Sequence, residues 1–182
     1  ISFSSLSNSI IKETDLIIST TFKLATSNLH PTPAPTEAER LSIIAVGGYG
    51  REEMAPFSDI DILFLTPYKT TPWTENVIES MLYILWDLKL QIGHATRSID
   101  ECILLGGKDF TIRTSLLETR PICGDKNLVD ELTNRLWNEL FQTSTTEFIT
   151  AKLKERATRH KKHGENRYLL EPNIKEGKGG LR

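Results

Sequence analysis

Apolar residues along this chain follow two rhythms. Short runs of β-branched and aliphatic residues at 41–46 (LSIIAV) and 60–65 (IDILFL) have the length and residue types of buried strands, with glycines and polar residues between them. Residues 91–99 (QIGHATRSI) read as a third strand, and 119–123 as a fourth, edge strand that stops at the turn signal Gly124-Asp125. Elsewhere the apolar positions recur at helical spacing. Residues 9–28, with Ile10, Leu16, Ile17, Ile18, Phe22, Leu24 and Ala25, predict a packing helix without chemistry. Residues 74–90 are apolar around most of a helix's circumference, with Thr74 as N-cap, so this helix is expected on the sheet with Trp73 and Trp86 in the core. Residues 100–106 and 109–118 read as helical pieces divided at Gly106-Gly107. Residues 128–141 read as an amphipathic helix that continues into a basic helix over 148–163, whose charge run is either a solvated face or a phosphate- or partner-facing patch.

These elements predict an α+β fold: a small mixed sheet of about four strands flanked by helices, with a C-terminal helical extension. The expected divisions are an N-terminal helix and Pro-rich linker over 1–35, a core over 36–125, and the extension with a Gly/Lys-rich loop over 126–182. In the linker, Pro31, Pro33 and Pro35 alternate with other residues and break any regular structure.

Composition narrows the function classes without choosing one. With 38% hydrophobic and 25% charged residues in 182, this is the composition of an ordinary soluble domain. No run of about twenty apolar residues is present to span a membrane, and no signal-peptide pattern opens the chain. The expected location is cytoplasmic, with Cys102 and Cys123 as reduced thiols. A formal net charge of -2 speaks against a protein that coats nucleic acid, and no nucleic acid partner is expected. Because the chain begins at Ile1 and stops in mid-motif at Gly179-Gly180-Leu181-Arg182, it is expected to be a fragment of something longer.

Candidate chemistry concentrates between the first two strands. Gly47, Gly48 and Gly50 lack the β-carbon that would keep a bulky anion from the backbone, and Arg51 is expected to open a short helix over 51–55. Asp59 and Asp61 stand two apart on a predicted strand, so both carboxylates project to one face while Ile60 and Ile62 enter the core. Two carboxylates beside a phosphate-holding loop suit a hard divalent cation, Mg²⁺ above all, with Mn²⁺ as a substitute. On the third strand His94 and Arg97 fall on opposite faces, and either one is available to the site. The tail over 167–182 (RYLLEPNIKEGKGGLR) is a second anion-friendly loop, in which Lys178 is a candidate phosphate ligand. It is either folded back toward the acid pair or a hinge to further chain.

Strand, Gly-Gly, about ten residues and then Asp-hydrophobic-Asp resembles the signature of the DNA polymerase β-like nucleotidyltransferases. That resemblance implies their fold, with Asp59 and Asp61 as catalytic metal ligands. It also implies a third acid, for which Asp100 is the nearest candidate and Glu118 a distant one. Four segments in order, GGYGREEMAPFSDIDILFL, LWDLKLQIGHATRSIDEC, LLETRPICGD and the tail, narrow the likeness. Together they resemble the nucleotidyltransferase domain of the bifunctional uridylyltransferase/uridylyl-removing enzymes that modify the PII nitrogen-signalling protein. The implied activity is transfer of UMP from UTP to a PII tyrosine, with Gly47 and Gly48 at the triphosphate and Gly50, Arg51, Ser58, Arg97 and Lys178 as further nucleotide-binding candidates. The hydrolase and glutamine-sensing domains of that family are not in this chain. Glu52 departs from the family pattern, which has a small residue, often glycine, at that position. Two alternatives stay open: a nucleotidyltransferase with another nucleotide or acceptor, and a catalytically silent nucleotide-binding regulator.

Overall fold

A computed structural model describes residues 3–162. Its centre is a four-stranded mixed sheet in the order β3-β2-β1-β4, built from β1 (Ser42–Ala45), β2 (Ile60–Thr66), β3 (Ile92–Ser98) and β4 (Arg120–Gly124). β1 pairs antiparallel with both β2 and β4, whereas β2 and β3 run parallel. A parallel pair needs a crossover, and the helix after β2 supplies it. The α+β class and the four-stranded mixed sheet expected from the sequence are therefore present.

Helices cover both faces. α1 (Phe3–Leu24) and α3 (Pro72–Asp87) bury Ile43, Ala45, Ile62 and Phe64 on one side. α4 (Ile99–Lys108), α5 (Phe110–Leu117) and α6 (Lys126–Arg135) bury Ile44, Leu63 and Leu65 on the other. A π-helical stretch over Leu136–Phe141 joins α6 to α7 (Gln142–Lys162). Among the described residues no helix is long and apolar enough to cross a membrane. Cys102 and Cys123 are free thiols, both pushed up to about 12 by burial, which keeps them protonated and unreactive.

Several boundaries differ from the sequence reading for identifiable reasons. α3 starts earlier than expected: Thr71 is the N-cap, Pro72 takes the first helical position, and Thr74 returns a hydrogen bond to complete the capping box. Gly106 and Gly107 do not break a helix but lie inside α4. A β-carbon on Gly106 would sit 3.0 Å from Leu140 and 3.1 Å from Leu116, so the glycine admits two neighbours at close range. The break falls at Asp109, whose carboxylate caps α5 by accepting from Thr111 and Ile112 N–H. Trp73 is packed against the core as expected, but Trp86 is not: its indole is 44% exposed at the end of α3.

Candidate active site

The exposed end of the sheet is where β2 begins. Along β2 the side chains alternate, so Ile60 and Ile62 are buried while Asp59 and Asp61 are exposed. Both aspartates line an open cleft of about 450 Å³, shared with Trp86, Leu90, Gln91, Ile92 and Gly93. The far wall of the cleft depends on how α3 ends. Lys89 adopts φ 62, Lys89 N–H donates to Trp86 C=O at 2.8 Å and Leu90 N–H to Leu85 C=O at 3.2 Å, a C-terminal lock that turns the chain straight into β3.

Two glycines frame the Asp61 carboxylate. A β-carbon on Gly47 would lie 3.5 Å from Asp61 Oδ2, and one on Gly93 would lie 2.3 Å from Asp61 Oδ1. Gly93 is the direct partner of Asp61 in the parallel register of β2 and β3. It was not among the residues singled out in the sequence, although an isolated glycine in a strand pattern signals a close approach.

The glycine segment is helical from its first residue. α2 (Gly47–Gly50) starts at Gly47, which takes φ +61, and after its C-cap Arg51 the backbone turns left-handed at Glu52, so the helix expected over 51–55 is not formed. The three glycines do different things. Gly47 adopts a backbone conformation that side chains oppose, and Gly48 has only ordinary contacts near its missing β-carbon. A β-carbon on Gly50, in contrast, would fall 1.7 Å from the Glu118 carbonyl oxygen. Gly50 thus lets the end of α5 pack against α2 and does not face the cleft. Glu52 stands at φ 64, the left-handed conformation that glycine favours, which explains why the family pattern has a small residue there.

The remaining candidates are dispersed. Ser58 closes a turn, its hydroxyl accepting from Ala55 N–H at 3.1 Å. Arg51 donates to Glu53 at 3.0 Å and Glu118 at 2.6 Å, so its charge is already matched by carboxylates. Arg97 pairs with Leu65 in the register, ~13 Å along the strand from the level of Asp61. Asp100 lies beyond the same far end, in the first turn of α4, and accepts from Arg135 at 2.6 Å. Neither Arg97 nor Asp100 is brought to the acid pair. Among the described residues no group of three or more potential metal ligands occurs. Lys178 and the rest of the tail lie outside the described residues.

The site thus combines a glycine-opened helix, a strand with Asp59 just before it and Asp61 as its second residue, both at one cleft, and a mixed sheet. Residues 35–123 match the family described as Nucleotidyltransferase domain, and residues 147–182 match the one described as GlnD PII-uridylyltransferase. Named relatives are more specific. The chain is 58% identical over 169 residues to the bifunctional uridylyltransferase/uridylyl-removing enzyme of Cereibacter sphaeroides, and 57% identical over 169 residues to that of Ruegeria pomeroyi. Each match covers 93% of this chain and 18% of the relative. The chain therefore spans less than a fifth of the length of these curated relatives. A solved structure described as a toxin-antitoxin with AMP-PNP is distantly alike, with 13% identity and a TM-score of 0.41 over 64% of this chain and 86% of that one.

Proposed function

We propose that this chain transfers UMP from UTP to a tyrosine hydroxyl of the PII protein and releases pyrophosphate. The observation that carries the reading is the Asp61 carboxylate, held between Gly47 and Gly93 at an open cleft that it shares with Asp59. The relatives' shared name supplies the nucleotide and, with the family description, the acceptor.

The donor set fits a hard divalent ion. Two exposed carboxylates, with no thiol or imidazole lining the cleft, suit Mg²⁺ or Mn²⁺, which take oxygen ligands and complete their shell with water and substrate phosphate. Asp59 and Asp61 would hold the ion, which when bound neutralises phosphate charge and makes the attacking hydroxyl more acidic. Gly47 puts no side chain between the backbone and Asp61, and Gly48 follows it with none, so this side receives the phosphates. In an in-line displacement the acceptor oxygen and the leaving group stand on opposite sides of phosphorus. The tyrosyl oxygen forms its bond to the α-phosphorus, the bond from that phosphorus to the bridging oxygen of pyrophosphate breaks, and the hydroxyl proton leaves to solvent. With the leaving group on the Gly47 side, the acceptor enters from the Gly93 side, where Trp86 and Leu90 offer an apolar wall. Trp86→Ala is expected to raise KM for PII about tenfold, an aromatic contact at a binding hot spot being lost, while KM for UTP stays within twofold. Steady-state kinetics with each substrate varied checks this, and a rise in the UTP constant alone would assign Trp86 to the nucleotide instead.

The second reading, a domain that binds nucleotide without transferring it, is favoured by one observation. No third acid joins Asp59 and Asp61 among the described residues. One assay decides. With Mg²⁺, PII and each α-labelled nucleoside triphosphate in turn, label is expected to pass from UTP alone to PII; nucleotide binding without label transfer selects the silent domain, and label from another nucleotide overturns the uridylyl assignment.

A further inference from the structure

α1 carries more than packing. Its buried stripe is Ser7, Ile11, Thr14, Ile18 and Thr21, so a helix seated on the core buries three hydroxyls where aliphatic residues would serve adhesion alone. Two of them satisfy themselves, Thr14 on Ile10 C=O and Thr21 on Ile17 C=O, each at 2.8 Å. Ser7 does something else. Its hydroxyl donates to Glu52 C=O at 3.2 Å and accepts from Met54 N–H at 3.0 Å, so one side chain fixes both ends of the segment in which Glu52 is left-handed.

Two turns further along α1, Asp15 grips the other part of the same segment. Tyr49, in the middle of α2 and 1% exposed, donates its hydroxyl to Asp15 Oδ1. Arg120 of β4 binds that carboxylate through both terminal nitrogens, at 2.7 and 3.0 Å, and its guanidinium lies 5.1 Å from the centre of the Tyr49 ring. Burial, and then the neighbouring Asp15, push the Tyr49 phenol far above its usual range, so it is a fixed donor at every working pH. A segment with glycines at 47, 48 and 50 has little rigidity of its own, and something outside it must select one backbone conformation.

We propose that Asp15 and Ser7 are positioning residues for nucleotide binding: α1 sets the backbone of residues 47–54, through Tyr49 at one end and Glu52 and Met54 at the other. This rests on the reading that Gly47 and Gly48 receive the phosphates of UTP. α1 is then part of the machinery that holds the triphosphate, though none of its side chains lines the cleft.

The test uses the full chain with Tyr49→Phe, which keeps the ring and removes the donor, and Ser7→Ala, which keeps the helix. Asp15→Asn and Asp15→Glu complete the set. Calorimetry with Mg·UTP is expected to show Kd raised about tenfold in Tyr49→Phe, Ser7→Ala and Asp15→Asn, as for loss of one well-placed hydrogen bond. Asp15→Glu, which retains a carboxylate, recovers most of the loss. KM for PII is unchanged, and amide exchange over residues 47–54 quickens in the free protein. A merely structural α1 predicts lower melting temperatures with wild-type Kd; folded Tyr49→Phe and Ser7→Ala proteins that bind Mg·UTP as the wild type does overturn the proposal. A wild-type chain that binds no Mg·UTP overturns the nucleotide reading, and this proposal falls with it.

Discussion

Asp61→Asn is expected to lower UMP transfer by ~10³-fold or more and to leave the fold as it is, since groups that neutralise charge at a transferring phosphoryl typically contribute on that scale. The side chain is exposed at the head of β2, and asparagine preserves its volume and shape, so nothing in the core changes. What changes is one negative charge between Gly47 and Gly93. Affinity for metal-free UTP is expected to hold or rise as a repulsive charge is lost, whereas the gain in affinity that Mg²⁺ brings to the wild type should shrink. Circular dichroism melts establish the fold, calorimetry with and without Mg²⁺ reads the charge, and label transfer reads the chemistry. Turnover within tenfold of wild type would remove Asp61 from the mechanism.

The acid pair was legible because its signal is local. A period of two on a strand decides which residues share a face, and burial of Ile60 and Ile62 with exposure of Asp59 and Asp61 follows from that alone. Sheet composition was legible for the same reason. Phase along a strand, however, carries no information on how far along it a partner sits. The sequence left His94 and Arg97 equally available, yet only pairing with β2 reveals that Gly93 is level with Asp61 and Arg97 with Leu65.

Glycines posed a related ambiguity. Gly47, Gly48 and Gly50 look alike in a one-dimensional reading, but Gly50 faces the carbonyl of Glu118, a neighbour remote in sequence. The partners of Arg51 were equally hidden, since Glu118, one of the two carboxylates that engage its charge, is remote in sequence. Asp100 stood at a plausible sequence distance from the pair, but the turn into α4 carries it beyond the far end of β3, toward Arg135. In α1, apolar positions alone suggested an adhesive helix; Leu16, counted among them, is 66% exposed, while Ser7 and Thr21 are buried.

Gly93→Ala is expected to separate stability from chemistry more sharply than any change to the acids themselves. Alanine is at least as well tolerated as glycine in a strand, by roughly 0.5–1 kcal/mol, so β3 itself has no reason to weaken. The new β-carbon would meet Asp61 Oδ1 at 2.3 Å, and that oxygen is the far end of an exposed side chain, which yields more cheaply than backbone would. The strand therefore survives and the carboxylate moves. A displacement near 1 Å at a reacting centre costs about 10²-fold in rate, so kcat for UMP transfer is expected to fall by about that factor with melting temperature unchanged or slightly raised. The cause can be isolated by combination. If the alanine acts only through Asp61, adding it to Asp61→Asn produces little further loss, because the second change has no charge left to misplace. Independent losses that multiply would show that Gly93 matters for some other reason, such as the approach of the acceptor along β3, and a Gly93→Ala enzyme with wild-type kcat would show that the Asp61 carboxylate works equally well from another position.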